Sequence, residues 1–377
     1  MRIAYFTSNR TTMPAEPSQI AASSTVTINI IKELSKRHKI TLYAAKGSHI
    51  VNVNIEDLHL DPFHIDSSIA DNDWITKAVI AMKQIYIGEL FRHASEYDII
   101  HLQTEPIYLA MPYVSLIKTP VLFTAHNMYH DFEKTIFSFY DKKIYISALS
   151  NAQAKRYPLT YEIPVIYNGI EVEEFPYEEK GGNYFLFLGR LTKDKGIDIF
   201  LELAINNPKF QFYIAGKGSN EFEQKAQAAA QKYSHIKYFG MVPRATSQWF
   251  DLLSKAKALI MPINYEDSCP LVPLEAMACG TPVIGYALGA LPEQVVDNET
   301  GYLICNTKQA NCKYIIEQTG IDGLTQAINR IDSLPNKDYL RFRRNARARI
   351  EDFFYVKKMA KNYERLYLRI IKEHSLS

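Results

Sequence analysis

Cysteine is scarce, with four in 377 residues, and Cys269, Cys279, Cys305 and Cys312 show neither CxxC spacing nor the density of a disulfide scaffold. That excludes a small disulfide-stapled module and makes a reducing compartment, the cytoplasm, the expected location. Charge of either sign is also short of an excess: 43 Lys and Arg against 41 Asp and Glu leave a net +2. So balanced a chain does not advertise a nucleic-acid partner, and any anion it binds must be held by a local group of side chains. No uninterrupted apolar run approaches the roughly 20 residues of a spanning helix. The start, Met1 to Phe6, enters a strand-like segment with no charged leader or cleavage site before it. Lys36, Arg37, His38 and Lys39 form a short basic cluster that reads first as a solvated helix end, with peripheral contact with an anionic membrane as the alternative.

What is present is an ordinary globular composition, 47% hydrophobic and 22% charged. A chain of 377 residues exceeds what one hydrophobic core supports, so two domains are expected, with the working surface in a cleft between them. Short β-branched runs alternate with longer helical patterns, the signature of βαβ units and a parallel sheet. Strands are predicted at 3–7, 40–44, 98–102 and 121–124, with a helix carried by Val26, Ile30 and Leu34. After Asn168-Gly169 the acidic, Pro- and Gly-bearing segment 171–182 reads as a linker. The alternation then resumes with strands at 184–188, 210–215, 237–239, 258–261 and 282–286. The expected fold is therefore α/β with two Rossmann-like domains, 1–172 and 183–352, and one amphipathic terminal helix, 353–377, returning toward the first domain.

Three segments can carry chemistry. Gly189-Arg190-Leu191-Thr192-Lys193-Asp194-Lys195-Gly196 follows a predicted strand end, where open α/β sheets bind ligands. Arg190 offers a planar fork and Lys195 a mobile point charge, a pairing suited to a diphosphate whose charge grows as it leaves. Alone, the segment reads as a solvated basic loop. Pro270 and Pro273 suit the first turn of a helix that Gly280 would end, and a free helix start offers N–H groups to phosphate. Glu275 on that helix could accept from ribose hydroxyls or be an ordinary exposed Glu, and Asp267 before it could hold sugar hydroxyls. His126, in Thr124-Ala125-His126, follows a strand of the first domain.

These segments together resemble the retaining family-four glycosyltransferases. Glu275-Ala276-Met277-Ala278-Cys279-Gly280-Thr281-Pro282-Val283-Ile284 looks like the stretch that follows the family's E-x₇-E region. Asn168-Gly169-Ile170-Glu171 resembles its NGID, Gly189-Arg190 with Lys195-Gly196 its GRL…KG motif, and Gly289 to Glu293 with Thr300-Gly301 its G…PE…TG segment. The likeness spans nearly the whole chain. It implies the GT-B fold and metal-independent transfer of a sugar from a nucleoside diphosphate sugar, UDP- or GDP-linked, to an acceptor hydroxyl with retention. No other cofactor is implied. Saccharide, lipid, protein and small-molecule acceptors all stay open. It also implies contacts of Arg190 and Lys195 with the diphosphate, of Glu275 with the ribose, and of His126 with the donor sugar, and a packing role for His101. Gly189, Gly216 and Gly218 resemble glycines beside the donor, Met241 the segment flanking the base, and Pro270, Leu271 and Val272 the helix start.

Two departures stand out. Where the family opens its first helix with a glycine pair, this chain has Ala21 and Ala22. Where the family has EPFGL or EGFGL, this chain reads Asp267-Ser268-Cys269-Pro270-Leu271: one methylene is lost at Asp267 and one backbone N–H at Pro270. They motivate a rival, a non-catalytic or accessory subunit that binds a partner enzyme; a related sugar-nucleotide epimerase is a weaker one. Asp71-Asn72-Asp73 could pass for a metal-binding DxD, but it lies in a polar stretch away from the nucleotide motifs, and no metal site is expected.

Overall fold

The computed structural model describes residues 1–16, 19, 22–63, 73–307 and 313–376. Contacts divide the chain into two compact units, Met1–Gly169 with Val356–Ser377, and Ile170–Tyr355.

In the first unit the strands are β1 (Arg2–Phe6), β2 (Lys39–Tyr43), β3 (Asn54–Glu56), β4 (Ile99–Leu102), β5 (Val121–Thr124) and β6 (Tyr145–Ser147). Its helices are α1 (Ala22–Leu34), α2 (Asp73–Arg92), α3 (Lys134–Tyr140) and α4 (Asn151–Ala154). The second unit holds β7 (Tyr184–Leu188), β8 (Gln211–Ala215), β9 (Ile236–Tyr238), β10 (Ala256–Met261), β11 (Val283–Tyr286) and β12 (Gly301–Ile304). Among them run α5 (Ile197–Asn206), α6 (Asn220–Lys232), α7 (Ser247–Ser254), α8 (Leu271–Ala278) and α9 (Leu291–Gln294), followed by α10 (Gly320–Asp332) and α11 (Asn336–Phe353). The last helix, α12 (Val356–His374), belongs to the first unit.

Among the described residues each unit has one six-stranded sheet, ordered β3-β2-β1-β4-β5-β6 and β12-β11-β10-β7-β8-β9, with parallel pairing throughout. Read within its own unit, each order is the doubly wound one: the first strand pairs on one side with the second and on the other with the fourth. The chain therefore reverses direction across the sheet between β1 and β4, and between β7 and β10. At such a switch point the loops leaving the strand ends diverge and open a crevice. Central strands are almost wholly buried, Tyr184–Leu188 at every residue, because helices cover both faces of a parallel sheet. The three strands absent from the sequence reading, β3, β6 and β12, all lie at sheet edges, as does β9, which the sequence reading found.

The C-terminal segment, expected as one terminal helix over 353–377, forms one helix, α12. The helix before it, α11, ends at Phe353, Ile170 N–H donates to Phe354 carbonyl (2.9 Å), and Ile170 bridges Tyr355 before α12 begins. α12 packs on α1 and sends Tyr367 into the first sheet. There the Tyr367 hydroxyl lies 2.6 Å from His101 Nδ1 and from the Tyr5 hydroxyl, and His101 Nε2 lies 2.7 Å from Thr124 Oγ1. His101 is thus a wholly buried cross-link. Segment 171–182, read as a linker, is folded onto the second unit: Val172 and Phe175 are buried, and Glu178 N–H donates to Cys279 carbonyl. Cys269 and Cys279 are buried thiols outside any disulfide, but Cys305 is disulfide-bonded, against the expectation of reduced thiols. Among the described residues no helix is long and apolar enough to cross a membrane. Of the DxD-like triplet, Asp71 and Asn72 lie outside the described residues, and Asp73 opens α2.

Candidate functional site

In the second unit the switch point lies between β7 and β10, and the sequence-predicted residues gather on the loops that leave those strands and β8. Gly189 follows β7 directly, and its N–H donates to Ala215 carbonyl at 3.1 Å. The loop after β8 runs against it so tightly that a Cβ on Gly216 would stand 1.8 Å from Gly189 carbonyl, and one on Gly218 would stand 2.0 Å from Leu191 carbonyl. Only glycine lets the two backbones approach this closely. Gly216 N–H in turn donates to Gly240 carbonyl (2.8 Å), which brings Met241 beside the same loops.

Arg190 is about half exposed and only 3.9 Å from Asp194, a loose surface pair. Lys195 is held differently. Its Nζ is 2.8 Å from Asp267 Oδ2, its side chain keeps 20% of its exposure, and it also contacts the Tyr265 hydroxyl. Tyr265 donates to the same Asp267 oxygen at 2.7 Å, and burial, then the adjacent carboxylate, raise its phenol above the usual range. An ammonium has three N–H donors, so a Lys195 bound to Asp267 and Tyr265 keeps one for a ligand.

After Asp267 the chain turns into α8. Pro270 is its N-cap with no side-chain cap, and Leu271 and Val272 form the first turn, so this helix start retains its unpaired donors and positive dipole end. The turn is pinned by Gln294 of α9, which donates to Pro270 carbonyl (2.9 Å) and to Cys269 Sγ (3.3 Å). Further along, Glu275 is not an exposed helical residue: it is 2% exposed, and its Oε1 accepts from Arg244 Nε at 2.8 Å. Arg244, Tyr265 and Gln294 are the residues that sequence reasoning missed in this unit. Arg244 stands in a loop without a motif around it, while Tyr265 and Gln294 sit beside the motif residues Asp267 and Glu293 without a signal of their own.

The remaining predicted residues are in the first unit. Ala22 opens α1, and Ala21 lies outside the described residues. His126 follows β5 with its Nε2 2.9 Å from Gln103 Oε1, and its backbone N–H donates to Glu105 Oε1 at 2.6 Å, as does that of Asn127 at 3.1 Å. Lys83 of α2 reaches the Glu105 carbonyl. Gln103 and Glu105, just past β4, were also invisible to sequence reading.

Burial lowers the His126 imidazole to about 4 and raises the Glu105 carboxyl to about 7. The consequences for stability have opposite signs. His126 contributes stability present above its usual 6.5 and lost as pH falls through about 4. His101, which burial also lowers, acts in the same direction. Glu105 contributes stability present below its usual 4.5 and lost as pH rises through about 7. Glu105→Gln keeps the accepting oxygen and removes the opposing titration. Its melting temperature is expected to fall more steeply than that of the native protein as pH drops from 6.5 to 4.5, as calorimetry would show. Parallel profiles would contradict the assignment.

Known proteins match both units. Residues 170–349 match the family described as Glycosyl transferases group 1, and residues 23–174 match Glycosyltransferase Family 4. An uncharacterized glycosyltransferase of Methanocaldococcus jannaschii is 32% identical over 139 residues, 37% of this chain and 38% of that one. Glycogen synthase of Mycobacterium tuberculosis is 31% identical over 149 residues, 37% of this chain and 35% of that one. The chain thus spans little more than a third of the length of these curated relatives. Among solved structures, sucrose-phosphate synthase from Thermosynechococcus elongatus superposes with a TM-score of 0.75 at 16% identity, covering 99% of both chains. The Anabaena protein HepE in complex with UDP superposes at 0.72 and 15%, covering 97% of this chain and 99% of that one. Both are likenesses of fold.

Proposed function

The chain belongs to the family-four glycosyltransferases of GT-B fold, and from that premise we propose that it moves a sugar from a nucleoside diphosphate sugar, UDP- or GDP-linked, to an acceptor hydroxyl with retention at the anomeric carbon. The observation that carries the reading is the gathering of Lys195, Asp267 and the uncapped start of α8 at the switch point of the second sheet. A diphosphate needs fixed positive charge and N–H donors, and these are the elements of the unit that offer both. In this reading Asp267 and Tyr265 hold Lys195 in place, and Lys195 and Arg190 take up the charge that develops on the departing diphosphate. Glu275, anchored by Arg244, receives the ribose hydroxyls, since a carboxylate has acceptor capacity beyond one guanidinium N–H. The Gly189, Gly216 and Gly218 backbones and Met241 flank the nucleotide. The presence of UDP in the Anabaena neighbour supports a nucleotide ligand for this architecture.

A thermal-shift panel of UDP, GDP, ADP and dTDP tests it. One of the four at about 100 times its Kd raises stability by about 2.7 kcal/mol, and Glu275→Ala removes that shift. If no nucleotide moves the transition, or if Glu275→Ala responds as the native protein does, the donor site is wrongly placed.

A further inference from the structure

In a parallel sheet every strand starts at the same edge, so the first unit has an edge opposite the loops that carry Gln103 and His126. Lys39 begins β2, Lys118 lies just before β5, and Lys142 and Lys143 lie just before β6. α12 brings its C-terminal end, with Lys372 and Leu376, to this edge: His374 Nε2 lies 2.8 Å from Lys118 carbonyl, and its ring stands 6.4 Å from that of Tyr145. Lys39, Lys118, Lys142, Lys143 and Lys372 are exposed, and none is in a salt bridge among the described residues. The carboxylates nearby are engaged by other groups. Asp98 pairs with Arg2, Glu33 with Lys36, Glu96 with His93, Glu364 with Arg37 and His38, and Glu373 with Arg369, while Asp141 accepts from Thr160. The run Lys36 to Lys39 is thus largely neutralised within the fold, and the unpaired charge lies on lysines far apart in sequence.

Large apolar side chains stand among these lysines. Leu116, two residues before Lys118, is 75% exposed, and Leu376, four after Lys372, is 80% exposed. Phe139 is 64% exposed, with Lys143 Nζ 4.1 Å from its ring centroid. A groove of about 460 Å³ lies beside them, floored by Ile144, Ile146, Leu366 and Ile370 and flanked by Lys142 and Arg369; Glu162 and Glu373 are the carboxylates on its lining. One exposed leucine is ordinary, but three large apolar residues interleaved with five unpaired lysines, in a chain of net charge +2, form an amphipathic surface. We propose that this edge docks on an anionic lipid bilayer, with the lysines at the headgroups and Leu116, Phe139 and Leu376 in the acyl boundary. A polyanion in water would engage the lysines and leave the three apolar side chains exposed, whereas a bilayer satisfies both. The strand ends of this unit face away from the docked edge, so docking is separable from ligand binding and independent of the transferase reading.

Co-sedimentation of the full chain with phosphatidylcholine vesicles, with and without about one-third phosphatidylserine, tests it. The native protein is expected to sediment with the anionic vesicles only, and to be released as salt is raised. Lys118→Gln and Lys143→Gln are each expected to weaken binding about fivefold, and Leu116→Ser and Phe139→Ser each about tenfold. All four side chains are exposed, so melting temperatures and the nucleotide shifts of the UDP, GDP, ADP and dTDP panel are expected to stay at native values. Failure of the native protein to bind anionic vesicles, equal binding to neutral vesicles, or native binding by the lysine variants would each overturn the proposal. So would native binding by Leu116→Ser and Phe139→Ser, which would mark a general polyanion surface. The nucleotide panel on the same samples keeps the two readings apart: loss of every shift in the native protein defeats the transferase assignment, whereas retained shifts without vesicle binding defeat only the docking edge.

Discussion

Lys195→Ala lowers kcat/KM for sugar transfer by about 10²–10³-fold, the usual effect of removing one preorganised group that meets developing charge. The expectation follows from how Lys195 is held. Its Nζ sits 2.8 Å from Asp267, which itself accepts from Tyr265, so the ammonium is placed before any ligand arrives and its position costs no reordering during reaction. Arg190, about half exposed and 3.9 Å from its nearest carboxylate, is looser, and Arg190→Ala is expected to cost less. In Lys195→Ala the Asp267 carboxylate keeps the Tyr265 hydroxyl, so the stability change stays near 1 kcal/mol. Steady-state kinetics beside a melting curve separate the two effects. Near-normal turnover in a folded variant would remove Lys195 from the mechanism.

The largest expected loss of stability is at Arg343 of α11, which has no part in the proposed chemistry. Its guanidinium is wholly buried and donates to four carbonyls: Nε to Glu178 (2.7 Å), Nη1 to Ala256 (3.0 Å), and Nη2 to Ser254 (2.7 Å) and Cys279 (3.2 Å). The Tyr339 hydroxyl lies 3.3 Å from Nη1. One side chain thus closes the end of α7, the start of β10, the end of α8 and the segment entering the second unit. Arg343→Met fills much of the volume but leaves those carbonyls unpaired, a loss of about 3–5 kcal/mol. For a unit of this size that lowers the melting temperature by on the order of 10 °C. Arg343→Lys keeps the charge without the planar fork and falls between the two. Differential scanning calorimetry decides it, and a shift of only a degree or two in Arg343→Met would contradict the role given to the network.

Arg343 also shows where a sequence stops being readable. α11 spells NKDYLRFRRNARARIEDF, five arginines in one basic helix, and nothing local separates Arg343 from its neighbours on solvated faces. Its burial is decided by carbonyls contributed from residues 178, 254, 256 and 279. The central strands were legible because a strand covered on both faces must be apolar throughout, and the reading of 184–188 coincides with β7 residue for residue. Edge strands such as Asn54–Glu56 bury little and carry no such pattern. The site divides in the same way. Lys195, Asp267 and Glu275 lie in motifs beside strand ends and helix starts, so they could be named in advance. Their holders could not: Tyr265 reaches Lys195 across 70 positions, and Arg244 reaches Glu275 across 31. The terminal helix was legible from its apolar spacing, and its start was read within three residues of Val356, while the pairing of Ile170 with Tyr355 at the break before it is non-local.

The central claim is that the second unit grips a diphosphate through Lys195 and Arg190. Isothermal titration of the nucleoside diphosphate selected by the panel, against its monophosphate, measures that grip directly. The native protein is expected to bind the diphosphate at least about tenfold more tightly, roughly 1.4 kcal/mol, and Lys195→Ala is expected to erase the preference. Equal affinity for the two nucleotides in the native protein, or an undiminished preference in the variant, would contradict it.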